Sequence, residues 1–141
     1  MTNKIYRFHV DKDCNWFQDG KPITHERIYL YNYQNLSTDD EGDFFIKEGQ
    51  SKAFVKFEDK PFIVKSVEIQ DISNLDLKIQ LNDSTQEKLV LESLYFEGNI
   101  PYCGVKKGKF IARFSRPALF QLSKAIINRD GAFFIGAKRI K

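Results

Sequence analysis

The sequence predicts an α+β fold, antiparallel and β-rich with two helices, containing an internal duplication of a strand-turn-helix-strand unit. Three observations lead there. The 141-residue chain holds 13 Phe and 6 Tyr against one Met and one Trp, and aromatic side chains suit pleated, half-buried strands. Turn dipeptides such as Asp19-Gly20, Lys107-Gly108 and Asp130-Gly131 separate short apolar runs. A shift of 89 residues also lays Arg27–Ile46 over Arg116–Ile135 without a gap, with six of 20 positions identical. Ordinary composition gives about one match in such a stretch. The matches are Arg27/Arg116, Leu30/Leu119, Gly42/Gly131 and the Phe-Phe-Ile runs that end at Ile46 and Ile135. The length suits a single compact domain over 1–141, with repeat units 14–46 and 103–135 flanking a β-meander over 51–96.

Each element has a local reason. Between Lys4 and Val10, Tyr6, Phe8 and Val10 alternate with Ile5, Arg7 and His9, which predicts a strand buried on the Tyr6-Phe8-Val10 side. After the Asp19-Gly20 turn, Thr24 is placed to cap a helix over Arg27–Leu36, with Glu26 favourable in its first turn. Leu30, Tyr33 and Leu36 share one face of that helix, and Ser37–Gly42 reads as a loop. Ala53–Phe57 and Phe62–Ile69 read as strands broken at Pro61. Leu75, Leu77, Ile79 and Leu81 alternate cleanly with polar residues, and Lys88–Phe96 returns in extended residues. In the last third, Tyr102–Lys106 and Lys109–Phe114 form a hairpin. Ser115 caps a second helix with Pro117 in its first turn, and Leu119, Leu122 and Ile126 line one side of it.

Charge is uneven. Residues 1–96 carry 12 basic and 17 acidic side chains, whereas residues 97–141 carry 10 and 2, within a net charge of +3. Such asymmetry raises the question of an anionic partner, although an acidic segment lying beside a basic one explains it more simply. No apolar run reaches the roughly 20 residues that span a bilayer, so no membrane association is expected. Met1–Arg7 has no apolar leader behind its basic residues, and Cys14 and Cys103 are too few for a disulfide scaffold. The expected setting is the cytoplasm, with free thiols, as a monomer or homodimer.

Candidate chemistry is sparse. Glu58 and Asp59 are adjacent carboxylates, which in extended chain point to opposite faces and cooperate poorly as an acid pair. His9 and His25 lack the spacing of a metal site, and a pairing of Cys14 or Cys103 with His9 has no local signature. No catalytic residue, metal or cofactor is assigned. The densest basic group is Lys106, Lys107, Lys109, Arg113 and Arg116, where guanidinium groups meet the free N–H groups of a helix start and suit a phosphate or carboxylate. Arg27 occupies the matching place in the first repeat. The competing reading pairs these arginines with Glu58, Asp59 or Asp40 in the scaffold.

Several stretches carry a resemblance. Trp16-Phe17-x-Asp19-Gly20-x-Pro22-Ile23, Asp40-Glu41-Gly42-Asp43-Phe44-Phe45 and Glu58-Asp59-x-Pro61-Phe62 are followed by Pro101-Tyr102 and Ala112-Arg113-Phe114-Ser115-Arg116-Pro117. In that order they resemble bacterial domain-of-unknown-function family 1285, across about Asp11 to Ala137, with Phe114 where the family pattern has Leu. The resemblance implies compact, repeat-containing α+β proteins with a role in sensing or signal transduction and no catalytic residue to carry over.

The expectation is therefore a non-catalytic binding module for a small anionic ligand or a protein partner, through Arg113, Arg116, Arg27, Glu58 and Asp59. One alternative is nucleic-acid binding through residues 97–141, with Tyr95, Tyr102 and Phe110 as exposed stacking residues. It is disfavoured because no recognised motif is present and the acidic first two-thirds repel a polyanion. A small enzyme of unknown type is the remaining alternative.

Overall fold

The computed structural model describes residues 4–140. The chain divides into two compact units, Met1–Pro61 and Phe62–Lys141. Both are built mainly of mixed β-sheet with one helix each, an α+β architecture.

In the first unit the order is β1 (Tyr6–Val10), β2 (Trp16–Gln18), β3 (Lys21–Pro22), α1 (Glu26–Gln34), β4 (Leu36–Thr38), β5 (Phe44–Glu48) and β6 (Ser51–Phe57). The strands lie side by side as β3-β2-β1-β6-β5-β4. Every neighbouring pair is antiparallel except the central one, where His9 lies beside Lys56 in parallel register. Phe8 and Val10 are buried as their alternation requires, but Tyr6 at the strand's start is half exposed. Trp16 anchors the core, edge-on to Tyr33 at 5.2 Å and to Phe57 at 5.7 Å. Helix α1 is not capped by Thr24. His25, one residue later, takes the extended N-cap conformation without a side-chain bond, and Glu26 supplies the first-turn charge. The helix stops at Gln34, so Leu36 buries its side chain from β4 rather than from a helical face. The Tyr33 hydroxyl donates to the Pro61 carbonyl at 2.9 Å.

The second unit runs β7 (Phe62–Asp71), β8 (Asp76–Leu81), β9 (Gln86–Lys88), a single 3-10 turn (Leu91–Ser93), β10 (Tyr95–Glu97), β11 (Ile100–Val105), β12 (Phe110–Phe114) and α2 (Arg116–Ser123). Its six-stranded sheet is ordered β10-β11-β12-β7-β8-β9, again with one parallel pair, β12 and β7, at the centre. Leu77, Ile79 and Leu81 are fully buried, as their alternation predicts. The stretch 88–96 is not one extended run, because the 3-10 turn breaks it and carries the chain from one sheet edge to the other. Of the segments in 51–96, β7–β9 form an antiparallel meander, while β6 belongs to the first sheet. Ser115 caps α2, its hydroxyl accepting from the Ala118 N–H, with Pro117 in the first turn and Ala118 and Leu122 buried. A three-stranded sheet follows: β13 (Ile127–Arg129), β14 (Ala132–Ile135) and β15 (Lys138–Arg139).

Two kinds of internal similarity are visible. Locally, the stretches matched at the 89-residue shift both form a helix followed by a hairpin, with Gly42 and Gly131 at φ +83° and +85°. Globally, both six-stranded sheets start at the centre, wind outward through three strands, cross to the far edge and wind back inward. The likeness between the two windings suggests duplication.

Gly136, between β14 and β15, lies close against Leu75. At φ +60°, a Cβ there would stand 2.4 Å from a methyl of Leu75, in the β7–β8 turn. Gly136→Ala is expected to destabilise the protein by about 2 kcal/mol or more. Gly98→Ala, which meets open space at φ +61°, should cost only about 1 kcal/mol of backbone strain. Chemical denaturation of the two variants checks the ordering.

Candidate functional site

Strand β12 runs straight into α2 through Ser115, and this corner carries two of the arginines that the sequence singles out. It is held firmly: the Ser115 N–H donates to Val64 O at 3.0 Å and its hydroxyl to Lys65 O at 3.3 Å. Arg113 lies half-buried on β12, directly beside Tyr102 of β11 and Ile63 of β7. Tyr102 in turn faces Tyr95 of β10, with their rings stacked at 5.3 Å and 14°. Cross-strand partners share a sheet face, so Tyr95, Tyr102, Arg113 and Ile63 form one lateral row of two phenol rings, a guanidinium and an aliphatic side chain. Three residues beyond Arg113, Arg116 is exposed at the first position of α2, a helix with no acidic residue in its first turn. A cation at the positive end of a helix is unfavourable by about 0.3–1 kcal/mol. The corner thus places Arg113 and Arg116 at one junction, with a stacked tyrosine pair on the sheet beside Arg113.

The other expected site residues lie in the first unit. Arg27 is exposed in the first turn of α1, Glu58 is exposed and accepts the Lys12 N–H at 3.2 Å, and Asp59 is half-buried. His9 is exposed on β1 and His25 precedes α1, each serving its own element. Cys103 is fully buried, and that burial, with a smaller push from Glu87, raises its thiol to about 12, far from a nucleophilic thiolate. Tyr102 and Phe110, expected to be exposed, are both buried in the second sheet because their strands sit near its centre. Among the described residues no group of three or more His, Cys, Asp or Glu is arranged to hold a metal ion, and no helix is long and apolar enough to cross a membrane.

Two ionic clusters escape sequence reading because their members are far apart in the chain. In the first unit the Lys4 ammonium meets Asp39 at 2.9 Å, Glu41 at 3.0 Å and also Asp43. Hydrogen bonds donated to Asp43 and then Asp39 hold that ammonium protonated well above the ordinary lysine range. The clasp borders an open groove of about 1130 Å³ that Tyr6, Gln50, Lys52 and Phe54 also line. In the second unit Asp83, with its side chain 5% exposed, receives the Lys106 ammonium at 2.7 Å and the Thr85 hydroxyl at 2.5 Å. The Lys106 N–H donates to the Glu87 carboxylate at 3.2 Å. This pin ties the β8–β9 turn to the β11–β12 turn, where Lys106 and Lys107 hold left-handed backbone at φ +56° and +60°. Asn82-Asp83-Ser84-Thr85 is legible as an aspartate-closed turn. Its lysine partner, 23 residues away, is not.

A crystal structure of a DUF1285 family protein from Silicibacter pomeroyi DSS-3 matches with a TM-score of 0.80 at 18% identity, over 98% of this chain and 80% of that one. This is a DUF1285-like fold. A second DUF1285 family protein, from Shewanella baltica OS155, matches with a TM-score of 0.72 at 14% identity, over 86% of this chain and 94% of its own. No protein-family model and no curated protein matches the sequence. The likeness to the DUF1285 proteins is one of fold, and the chemistry of this chain rests on its own residues.

Burial pushes the Asp83 carboxyl up, but hydrogen bonds from Lys106 and Thr85 outweigh it and hold the group below the ordinary carboxylate range. A depressed carboxyl contributes stability that is present above the unfolded value near 4 and lost as pH falls through the lowered folded value. Asp83→Asn is therefore expected to lower stability by about 2–3 kcal/mol at neutral pH. The difference from wild type should shrink below about pH 4. Denaturant titrations at pH 7 and pH 3 check both the size and the sign.

Proposed function

We propose that the protein is a non-catalytic binding module of the bacterial cytoplasm, acting in sensing or signal transduction, and that it recognises a small anionic ligand at the Arg113–Arg116 corner. The observation that carries this reading is the juxtaposition at one rigid strand-to-helix junction of a half-buried guanidinium, a stacked tyrosine pair and a second guanidinium at an uncompensated helix start. Guanidinium groups bind carboxylate and phosphate through paired N–H donors, and helix N-termini favour negative charge. Half-buried Tyr95, stacked on buried Tyr102, is the ring of the pair that suits an apolar or planar body attached to the anion. In the first unit, taken by itself, exposed Arg27 offers a guanidinium to an anion, and Glu58 and Asp59 offer hydrogen-bond acceptors.

A protein partner is the second reading, favoured by the open groove of mixed polarity beside the Lys4 clasp and by the exposed Ile5 and Tyr6 along it. Nucleic-acid binding is weaker, because burial of Tyr102 and Phe110 withdraws two of its three stacking residues. We also infer that the repeat units 14–46 and 103–135 arose by duplication of one strand-turn-helix-strand unit.

The first experiment is native mass spectrometry of gently purified protein, followed by thermal-shift titration with inorganic phosphate, pyrophosphate and benzoate. Arg113→Ala is expected to weaken binding of whichever anion binds by roughly tenfold or more, the size of a lost charge-assisted hydrogen bond. Arg116→Glu should do two opposite things: abolish that binding and raise the melting temperature of the unliganded protein by about 2–5 °C, because an acid replaces a cation at the helix start. If both variants bind every probe as wild type does, the corner is not the site.

A further inference from the structure

We propose that the three-stranded sheet ending the second unit is a docking surface for an acidic, extended segment of a partner protein, which adds as a fourth strand along β13. This goes beyond the anion site and uses other residues of the same unit. The sheet is ordered β13-β14-β15, so β13 is an edge, and all three of its residues are exposed. Asp130 and Gly131, at φ +54° and +85°, close β13 onto β14 in a two-residue turn flanked by the Arg129–Ala132 pair. In such a hairpin the flanking pair exchanges its backbone hydrogen bonds, so the N–H and C=O of Asn128 point outward along the free edge. That is the backbone geometry a strand-adding peptide uses.

Beside this edge lies a cavity of about 500 Å³, lined by Phe96, Ser123, Ile126, Asn128, Phe133 and Ile140. Asn128 and Phe133 are cross-strand partners and so face it together. Ile127, Phe134 and Arg139 form the neighbouring row on the opposite face, where Arg129 lies over the Phe134 ring at 5.5 Å. An added strand would send alternate side chains to these two faces, one set into the apolar cavity and the other beside Arg129.

Charge selects the occupant. Residues 124–139 contain Lys124, Arg129, Lys138 and Arg139 against one carboxylate, Asp130. A second copy of β13 carries no carboxylate and would bring another Arg129 to the same edge. A strand with apolar residues at alternate positions and Asp or Glu between them meets both faces favourably.

The test uses the full chain and a fluorescein-labelled peptide, Glu-Val-Glu-Phe-Glu-Val-Glu, with a counterpart in which every Glu is Lys. Fluorescence anisotropy at low salt should show saturable binding of the acidic peptide, and binding of the Lys peptide weaker by roughly tenfold or more. Asn128→Pro removes the outward N–H at an edge position that tolerates proline, and Phe133→Ser removes an apolar wall of the cavity. Each should weaken the acidic peptide by roughly tenfold. Arg129→Glu, on the exposed surface, should reverse the preference between the two peptides, which shows that the variant still folds and binds. The combined Arg113→Ala, Arg116→Ala variant should bind the acidic peptide as wild type does. No saturable binding, equal binding of both peptides, unchanged affinity in Asn128→Pro and Arg129→Glu, or loss of the peptide only in the arginine-corner variant would each overturn the proposal.

Discussion

Parallel neighbours cannot be joined by a tight turn, and each six-stranded sheet of this protein has one parallel pair at its centre, β1 with β6 and β7 with β12. The winding follows from that constraint. The chain leaves the central strand by two antiparallel turns, crosses the sheet from edge to edge, and returns by two more to lie beside its own start. The crossing segment is what differs. In the first unit it is α1, whose Tyr33 packs edge-on against Trp16, whereas in the second a single 3-10 turn suffices. The central strands carry part of the core, with Val10, Val64 and Ala112 having no exposed surface.

Much of this was legible in the sequence where a residue's environment is set by its near neighbours. The alternation ending at Leu81, the Ser115 cap with Pro117, and the Asp19-Gly20 and Asp130-Gly131 turns all behave as their chemistry dictates. The parallel pairing was not legible, since it joins strands about 50 residues apart and leaves no periodic trace. The same reason hid the 3-10 turn, because Leu91-Glu92-Ser93 is unremarkable until the strands on either side must reach opposite edges. Exposure failed in a related way. Phe110 and Tyr102 look like surface aromatics beside a run of lysines, yet lateral neighbours on both sides cover them.

The candidate sites divide along that line too. Arg113 and Arg116 were visible because a short motif places both at one strand-to-helix corner. The stacked tyrosine pair beside Arg113 appears only once β10, β11 and β12 lie in register. Lysines play the contrasting part: Lys4 and Lys106 are each clamped by carboxylates distant in sequence, so much of the chain's charge is spent on its own turns. Arg129, Lys138 and Arg139 stand on the small three-stranded sheet, where β13 is an edge.

The inward return of each winding also governs how the protein is made. On the ribosome β1 is finished some 45 residues before β6, a delay of a few seconds at about 5–20 residues per second. Throughout that interval β1, which buries Phe8 and Val10, has a bare edge on the side its last strand will fill. Non-local pairings of this kind are slow to form and exposed to misassociation while they wait. The second winding repeats the delay between β7 and β12. Each sheet is therefore completed from its rim towards its middle, and its central parallel seam is the last to close.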